Sequence, residues 1–141
     1  MLEIPNCYYR TSVKGLILNE DQKFLLTKAE SGRWDLPGGG LDCGEDPRTC
    51  VSREIQEEMG IITEFVAEHP SYFVAVLAEG DAGWINNVVY IAKLQHLHFT
   101  PSDECIEIRF FSAGEAKEMQ LFSNVTKFIN MYNPENHDKT P

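Results

Sequence analysis

The chain has 141 residues, with 22 acidic against 12 basic side chains and a net charge of −10 at pH 7. That length suits one domain with a buried core, and the acidic balance excludes a broad nucleic-acid surface, which would need a positive face. No apolar run approaches the ~18 residues of a membrane span and the opening residues lack the basic-then-apolar pattern of a secretion signal, so the expectation is a soluble, cytoplasmic protein, one domain over residues 1–133 with a frayed tail at 134–141.

Residues 8–18 alternate and then run continuously apolar, as a strand entering a core would. Asn19, Glu20 and Asp21 turn the chain and residues 23–28 return it, so the two segments are expected to pair as a hairpin. A short loop of small residues leads to Trp34, whose ring is read as a structural plug in preference to a base-stacking surface. Pro37 then fixes one φ, and Gly38, Gly39 and Gly40 are free to take positive φ, which reads as a loop.

A helix follows. Asp46 can cap it, Pro47 suits the first helical position because its missing N–H costs nothing there, and Gly60 supplies a left-handed residue to end it, so it is expected over residues 47–59. At about 100° per residue, Val51, Ile55 and Met59 share one stripe that can pack on a sheet. Glu54, Glu57 and Glu58 share an adjacent arc. Local electrostatics opposes that arc twice: Glu54 and Glu58 are like charges at i, i+4, and Glu57 and Glu58 lie in the last turn, where the helix dipole disfavours anions. A bound cation would resolve both conflicts. With only hard carboxylate oxygens on offer, the matching ion is Mg²⁺, with Mn²⁺ as substitute. Mg²⁺ commonly completes its shell with substrate phosphates, and backbone without Cβ atoms at Gly39 and Gly40 can approach a phosphate chain closely.

Beyond the helix, a short strand is expected at 62–68, a break at His69 and Pro70, a buried strand at 71–78, a loop at 79–83 and a partner strand at 84–94. His96 and His98 have no third nitrogen or sulfur ligand in view, so they read as polar strand-edge residues in preference to a zinc site. Residues 100–105 form a polar loop, and 107–111 a strand. A helical segment begins over 112–119 and continues as a C-terminal helix at 124–132, with Val125, Phe128, Ile129 and Tyr132 on its apolar face. Cys7, Cys43, Cys50 and Cys105 show no C-x-x-C spacing and read as free thiols.

The stretch from Gly39 to Ile61 resembles a complete Nudix box, G-x5-E-x7-R-E-U-x-E-E-x-G-U with U a bulky aliphatic residue: Gly39, Glu45, then Arg53-Glu54-Ile55-Gln56-Glu57-Glu58-Met59-Gly60-Ile61. No fixed position departs from it, and Trp34-x-Leu36-Pro37-Gly38 is similar to the lead-in that often precedes it. The resemblance implies the Nudix fold, an α/β/α sandwich with a curved mixed sheet between helices. It also implies Mg²⁺-dependent hydrolysis of a phosphoanhydride in a nucleoside diphosphate linked to X. A (deoxy)nucleoside triphosphate is the first expectation, and ADP-ribose or another sugar nucleotide the second. A non-catalytic nucleotide-sensing module is the alternative of another class; such modules often lack box acids, and this chain lacks none.

Carried over position by position, the resemblance makes Glu57 and Glu58 direct metal ligands and the Gly38 carbonyl a backbone ligand. Glu54 binds a metal or, through a metal-bound water, helps to generate the nucleophile. Arg53 orients the glutamates by ion pairing. Glu45 either touches a metal through water or supports the loop. The general base is a box glutamate, with Glu54 preferred, or an acid on the loop among Asp103, Glu104 and Glu107, with Glu104 first; those three also read as plain solvated charges. The implied partner is a small nucleotide, not extended nucleic acid or a membrane, bound by a monomer or a homodimer.

Overall fold

The computed structural model describes residues 2–3, 7–80 and 83–137. Among them the chain forms eight strands and three α-helices: β1 (Arg10–Leu16), β2 (Phe24–Lys28), β3 (Trp34–Asp35), β4 (Gly38–Gly40), α1 (Pro47–Met59), β5 (Thr63–Val66), β6 (Tyr72–Leu77), β7 (Trp84–Leu94), β8 (Glu107–Phe111), α2 (Ala113–Ala116) and α3 (Ser123–Met131). The larger sheet runs β4-β1-β7-β5, with β6 also paired to β7, and the smaller runs β3-β2-β8. Strand β1 is parallel to β7 and antiparallel to β4, so the larger sheet is mixed.

Two apolar clusters cover the two faces. On one, Cys50, Val51, Ile55 and Met59 of α1 are buried with Val13, Ile17, Leu25, Tyr90 and Ala92. On the other, Val125, Phe128 and Ile129 of α3 pack with Leu16, Phe24, Trp34, Val74, Val89 and Phe111. The result is the expected α/β/α sandwich. Burying each of these large aliphatic or aromatic side chains contributes about 1.5–3 kcal/mol before the cost of ordering the chain. Trp34 is the plug that the sequence suggests, 1% exposed and edge-on to Phe111 at 5.0 Å. No helix among the described residues is long and apolar enough to cross a membrane.

Three expectations differ. Residues 8–18 and 23–28 do not form a hairpin, because β1 has β4 on one edge and β7 on the other and has no edge left for β2. The chain instead crosses to the smaller sheet, with a bridge between Leu18 and Phe24 and the Leu25 N–H donated to the Ile17 carbonyl at 2.9 Å. The glycines at 38–40 are strand and not loop, in register with Lys14, Val13 and Ser12. Gly38 keeps its positive φ of 133° there, and a Cβ on it would collide with the Val13 carbonyl. The helical segment expected at 112–119 is only the short α2, closed by a capping box of Ser112 and Glu115; the chain leaves it so that Leu121 can bridge to Trp34.

Of the tail, residues 134–137 are described. Pro134–Asn136 make a 3-10 turn, Gln22 Nε2 donates to the carbonyls of Pro134 and His137 at 3.1 and 2.9 Å, and the His137 ring stacks on Tyr132. Residues 138–141 of the expected frayed tail, and residues 81–82 of the expected loop, lie outside the described residues.

Candidate active site

The acidic arc is presented by α1, whose ends form as its sequence dictates. Asp46 accepts from the N–H groups of Arg48 and Thr49, and Gly60, at φ 68°, returns its N–H to Gln56. Val51, Ile55 and Met59 are fully buried, which aims the adjacent arc at the terminal strand β4. Since β4 is flush with the helix, Glu54 lies directly on it: a Cβ at Gly39 would stand 2.6 Å from the Glu54 carboxylate. Only glycine leaves that cradle open.

Arg53 organises the exposed side of the cluster. Its Nε donates to Glu45 Oε2 at 2.7 Å and its Nη2 to Glu45 Oε1 at 2.9 Å, a two-pronged pair in which the planar guanidinium matches the carboxylate. The same side chain's Nη1 reaches Glu54 and Glu57, each at 3.2 Å, and Asp42 lies 3.5 Å from Nη2. The hydrogen bond to Arg53 is the main cause that holds the Glu45 carboxyl at about 2. One arginine thus links three of the sequence-predicted glutamates.

Glu58 is different. It is 5% exposed, and its hydrogen bond among the described residues comes from the Gly38 N–H to Oε1 at 2.8 Å. Burial pushes its carboxyl up to about 8, against the pull of Lys14 and of that N–H and with the repulsion of Asp35 and Glu54. Glu54 is also raised, first by burial, with Arg53 opposing and Glu57 and Glu104 adding. Glu104 is exposed, but its loop is tied to the end of α1 by Ser102 Oγ donating to the Glu58 carbonyl at 2.8 Å and by the Thr100 N–H on the Met59 carbonyl. Of the three loop acids, Glu104 is the one whose charge acts on Glu54. Glu107 is engaged by Arg109 at 2.8 Å and Lys28 at 3.8 Å, and Asp103 is exposed.

The donor set fits a hard divalent ion. Glu54, Glu57, Glu58 and the Gly38 carbonyl offer only oxygen, the glycine cradle keeps Cβ atoms out, and a half-desolvated pair of carboxylates is stabilised by a cation. Among the described residues no group of three or more acidic, imidazole or thiol side chains is already gathered closely enough to hold an ion. Arg53 supplies the positive charge instead, and Glu57 remains half-exposed on it.

Four residues of this neighbourhood carry no motif. Lys14 on β1 donates to Asp35 Oδ2 at 3.2 Å and to the Gly38 carbonyl at 3.4 Å. Asp35 Oδ1 accepts from Asn124 Nδ2 at 2.8 Å, and that amide also reaches Asn87 Oδ1 at 2.9 Å. Lys14, Asn87 and Asn124 are all buried, and Asn87 Nδ2 is buried with no partner. The remaining candidates are quiet: His96 and His98 lie past the end of β7, exposed, with their rings tilted against each other at 5.0 Å, and the four cysteines are free, with Cys50 and Cys105 buried. Burial drives the Cys50 thiol up to about 12, which makes it a poor nucleophile.

Comparison with known proteins agrees with this layout. The family model described as the NUDIX domain matches residues 8–130. A MutT-like protein of Streptomyces ambofaciens is 44% identical over 57 residues, 40% of this chain and 37% of that protein. The ADP-ribose pyrophosphatase of Methanocaldococcus jannaschii is 30% identical over 110 residues, 73% of this chain and 62% of its own length. The chain therefore spans between about a third and two thirds of the length of these curated relatives. The crystal structure of a MutT protein from Methanosarcina mazei Go1 superposes with a TM-score of 0.73 at 27% identity, covering 94% of this chain and 99% of that one.

Proposed function

The chain belongs to the Nudix family, and from the site that its box builds we propose that it hydrolyses a phosphoanhydride bond in a nucleoside diphosphate linked to X, with Mg²⁺ or Mn²⁺ held by Glu54, Glu57, Glu58 and the Gly38 carbonyl. The observation that carries this reading is the pairing of a buried Glu58 and a raised Glu54 against the glycine strand, where burial makes both want a cation. When bound, the ion supplies positive charge to phosphate oxygens and lowers the pKa of water.

The chain's own residues do the rest. Gly39 and Gly40, on the terminal strand, let a phosphate chain approach the backbone. Arg53 keeps Glu54 and Glu57 oriented through its ion pairs. Water attacks one phosphorus, its proton passes to Glu54, and the bridging P–O bond breaks to leave a nucleoside phosphate and a second phosphate product. A carboxyl raised by burial is nearer to the pH at which it must accept that proton, as a general base needs. Glu104, close enough to Glu54 to be felt, is the second candidate for that role. Glu45 supports the loop through Arg53 and through its Oε1, which accepts from the Asp42 N–H at 3.2 Å.

The favoured substrate is a (deoxy)nucleoside triphosphate. The likeness over 110 residues to a protein named as an ADP-ribose pyrophosphatase supports ADP-ribose as the second reading. Hydrolysis of a nucleotide panel in ¹⁸O-water, followed by product mass, tests both. A nucleoside monophosphate with pyrophosphate from a triphosphate supports the first, AMP with ribose phosphate from ADP-ribose the second, and no turnover of any member by clean protein with Mg²⁺ or Mn²⁺ makes the chain a nucleotide-sensing module.

A further inference from the structure

One buried charge has no part in that chemistry. Lys14 sits mid-strand, in register with Gly38 on β4 and Val89 on β7, and is 6% exposed. Lysine is almost never buried to that degree unless it is paired, and burying an ammonium is costly unless its neighbours replace the lost water. One of its two partners is a group assigned to the ion. Nζ donates to the Gly38 carbonyl at 3.4 Å and to Asp35 Oδ2 at 3.2 Å, while the N–H of the same Gly38 is committed to Glu58 at 2.8 Å. Burial is what raises the Glu58 carboxyl, and Lys14 is the strongest influence opposing it; Asp35 adds repulsion. Arg53, the other cation nearby, is spent on Glu45, Glu54 and Glu57 and makes no ion pair with Glu58 or Asp35. The inner half of the site therefore has two carboxyl groups and a carbonyl gathered round a single positive charge that the chain itself provides.

We propose that Lys14 is the resident cation of the metal-free site: it holds Gly38 and Asp35 in place before an ion arrives, and it sets the site's affinity for the divalent ion by repelling it. The inference rests on the reading that Gly38 and Glu58 hold that ion. Two cations served by the same carbonyl oppose each other strongly, because the low-dielectric surroundings of buried groups screen them little. A lysine here weakens metal binding and stabilises the empty site. The site thus folds without metal and takes it up only at higher ion concentration, or when a polyphosphate brings further negative charge.

The test is calorimetric titration of Mn²⁺, without nucleotide, into metal-free wild-type, Lys14→Met and Lys14→Gln protein. Methionine keeps the length and removes the charge; glutamine keeps a donor for Asp35. The expected result is a Mn²⁺ Kd at least ~10-fold lower in both variants, with a lower metal-free Tm that saturating Mn²⁺ brings back toward the wild-type value. If Lys14→Met does not stay folded without metal, the Mn²⁺-dependent rise in Tm of Lys14→Gln gives the same affinity. A purely structural lysine would predict the opposite direction, since a loosened site binds the ion less well. Wild type that binds Mn²⁺, with variants that bind it equally or more weakly, overturns the role of Lys14. No Mn²⁺ binding by wild type or by either variant overturns the metal reading itself, and the proposal with it.

Discussion

The two sides of the site are built in opposite ways. The helix side is contiguous: Gly38 to Gly60 brings its own strand, cap, arginine and glutamates, and Arg53 alone pairs with Glu45, Glu54 and Glu57. The inner side is assembled from four separate segments, with Lys14 of β1, Asp35 of β3, Asn87 of β7 and Asn124 of α3 joined in one chain of hydrogen bonds. Exposure follows the same division, since Glu57 and Arg53 reach solvent whereas Lys14, Asn87 and Asn124 are all buried. Glu57 and Arg53 stay accessible to a substrate; polar groups that hold strands and helix in register are sealed in. Damage to the first side should therefore remove chemistry with the fold intact, and damage to the second should cost stability.

The largest effect expected is on the helix side. Glu54→Gln should lower kcat by at least ~10²-fold at saturating Mn²⁺, because loss of a proton acceptor cannot be rescued by more metal, while Glu104→Gln costs less than ~10-fold. Steady-state kinetics at several Mn²⁺ concentrations decides it. The reverse ranking would move the base to the loop.

On the inner side, Asn124→Ala removes the amide that Asp35 Oδ1 and Asn87 Oδ1 both accept from. Leaving the buried Asn87 Oδ1 unmet costs about 1–3 kcal/mol, which urea denaturation would read as a lower midpoint, with kcat changed less than ~10-fold. A kcat loss as large as that of Glu54→Gln, at unchanged stability, would erase the division between the two sides.

Glu58 stands where the two sides meet, and its effect on metal-free stability depends on pH. Its carboxyl moves from an ordinary 4.5 to about 8 on folding, so between those values the folded protein keeps a proton that the unfolded chain has lost. This group's contribution to stability is thus constant below 4.5 and declines as pH rises to about 8. Glu58→Gln, which resembles the protonated acid, should abolish turnover, flatten that decline, and raise metal-free stability at neutral pH. Thermal melts of both proteins across pH, in chelator, measure it. A clear loss of stability in the variant would mark the ionised carboxylate as a structural partner of Lys14.

This difference in construction also explains what could be read from residues alone. Cap, helix period and acidic arc all lie within one run, so α1 and its glutamates were legible from local rules. Lys14 interrupts a strand that otherwise reads as buried, and Asn86 and Asn87 interrupt another; each is a visible signal, a polar residue where the pattern demands an apolar one. Their partners were not visible, because Asp35 and Asn124 are 21 and 110 residues from Lys14 in sequence and meet it only through the sheet order. The missed hairpin has the same origin. Leu16 to Phe24 looks locally like a tight turn, but β7 arrives from far along the chain to take the edge of β1 that a hairpin would have used.

The central claim is that the acids of α1 act on a phosphoanhydride through a divalent ion, and nucleotide hydrolysis measured against Mg²⁺ concentration tests it most directly. The account predicts turnover that needs millimolar Mg²⁺ or a lower concentration of Mn²⁺ and vanishes in EDTA; full activity in the chelator would contradict it.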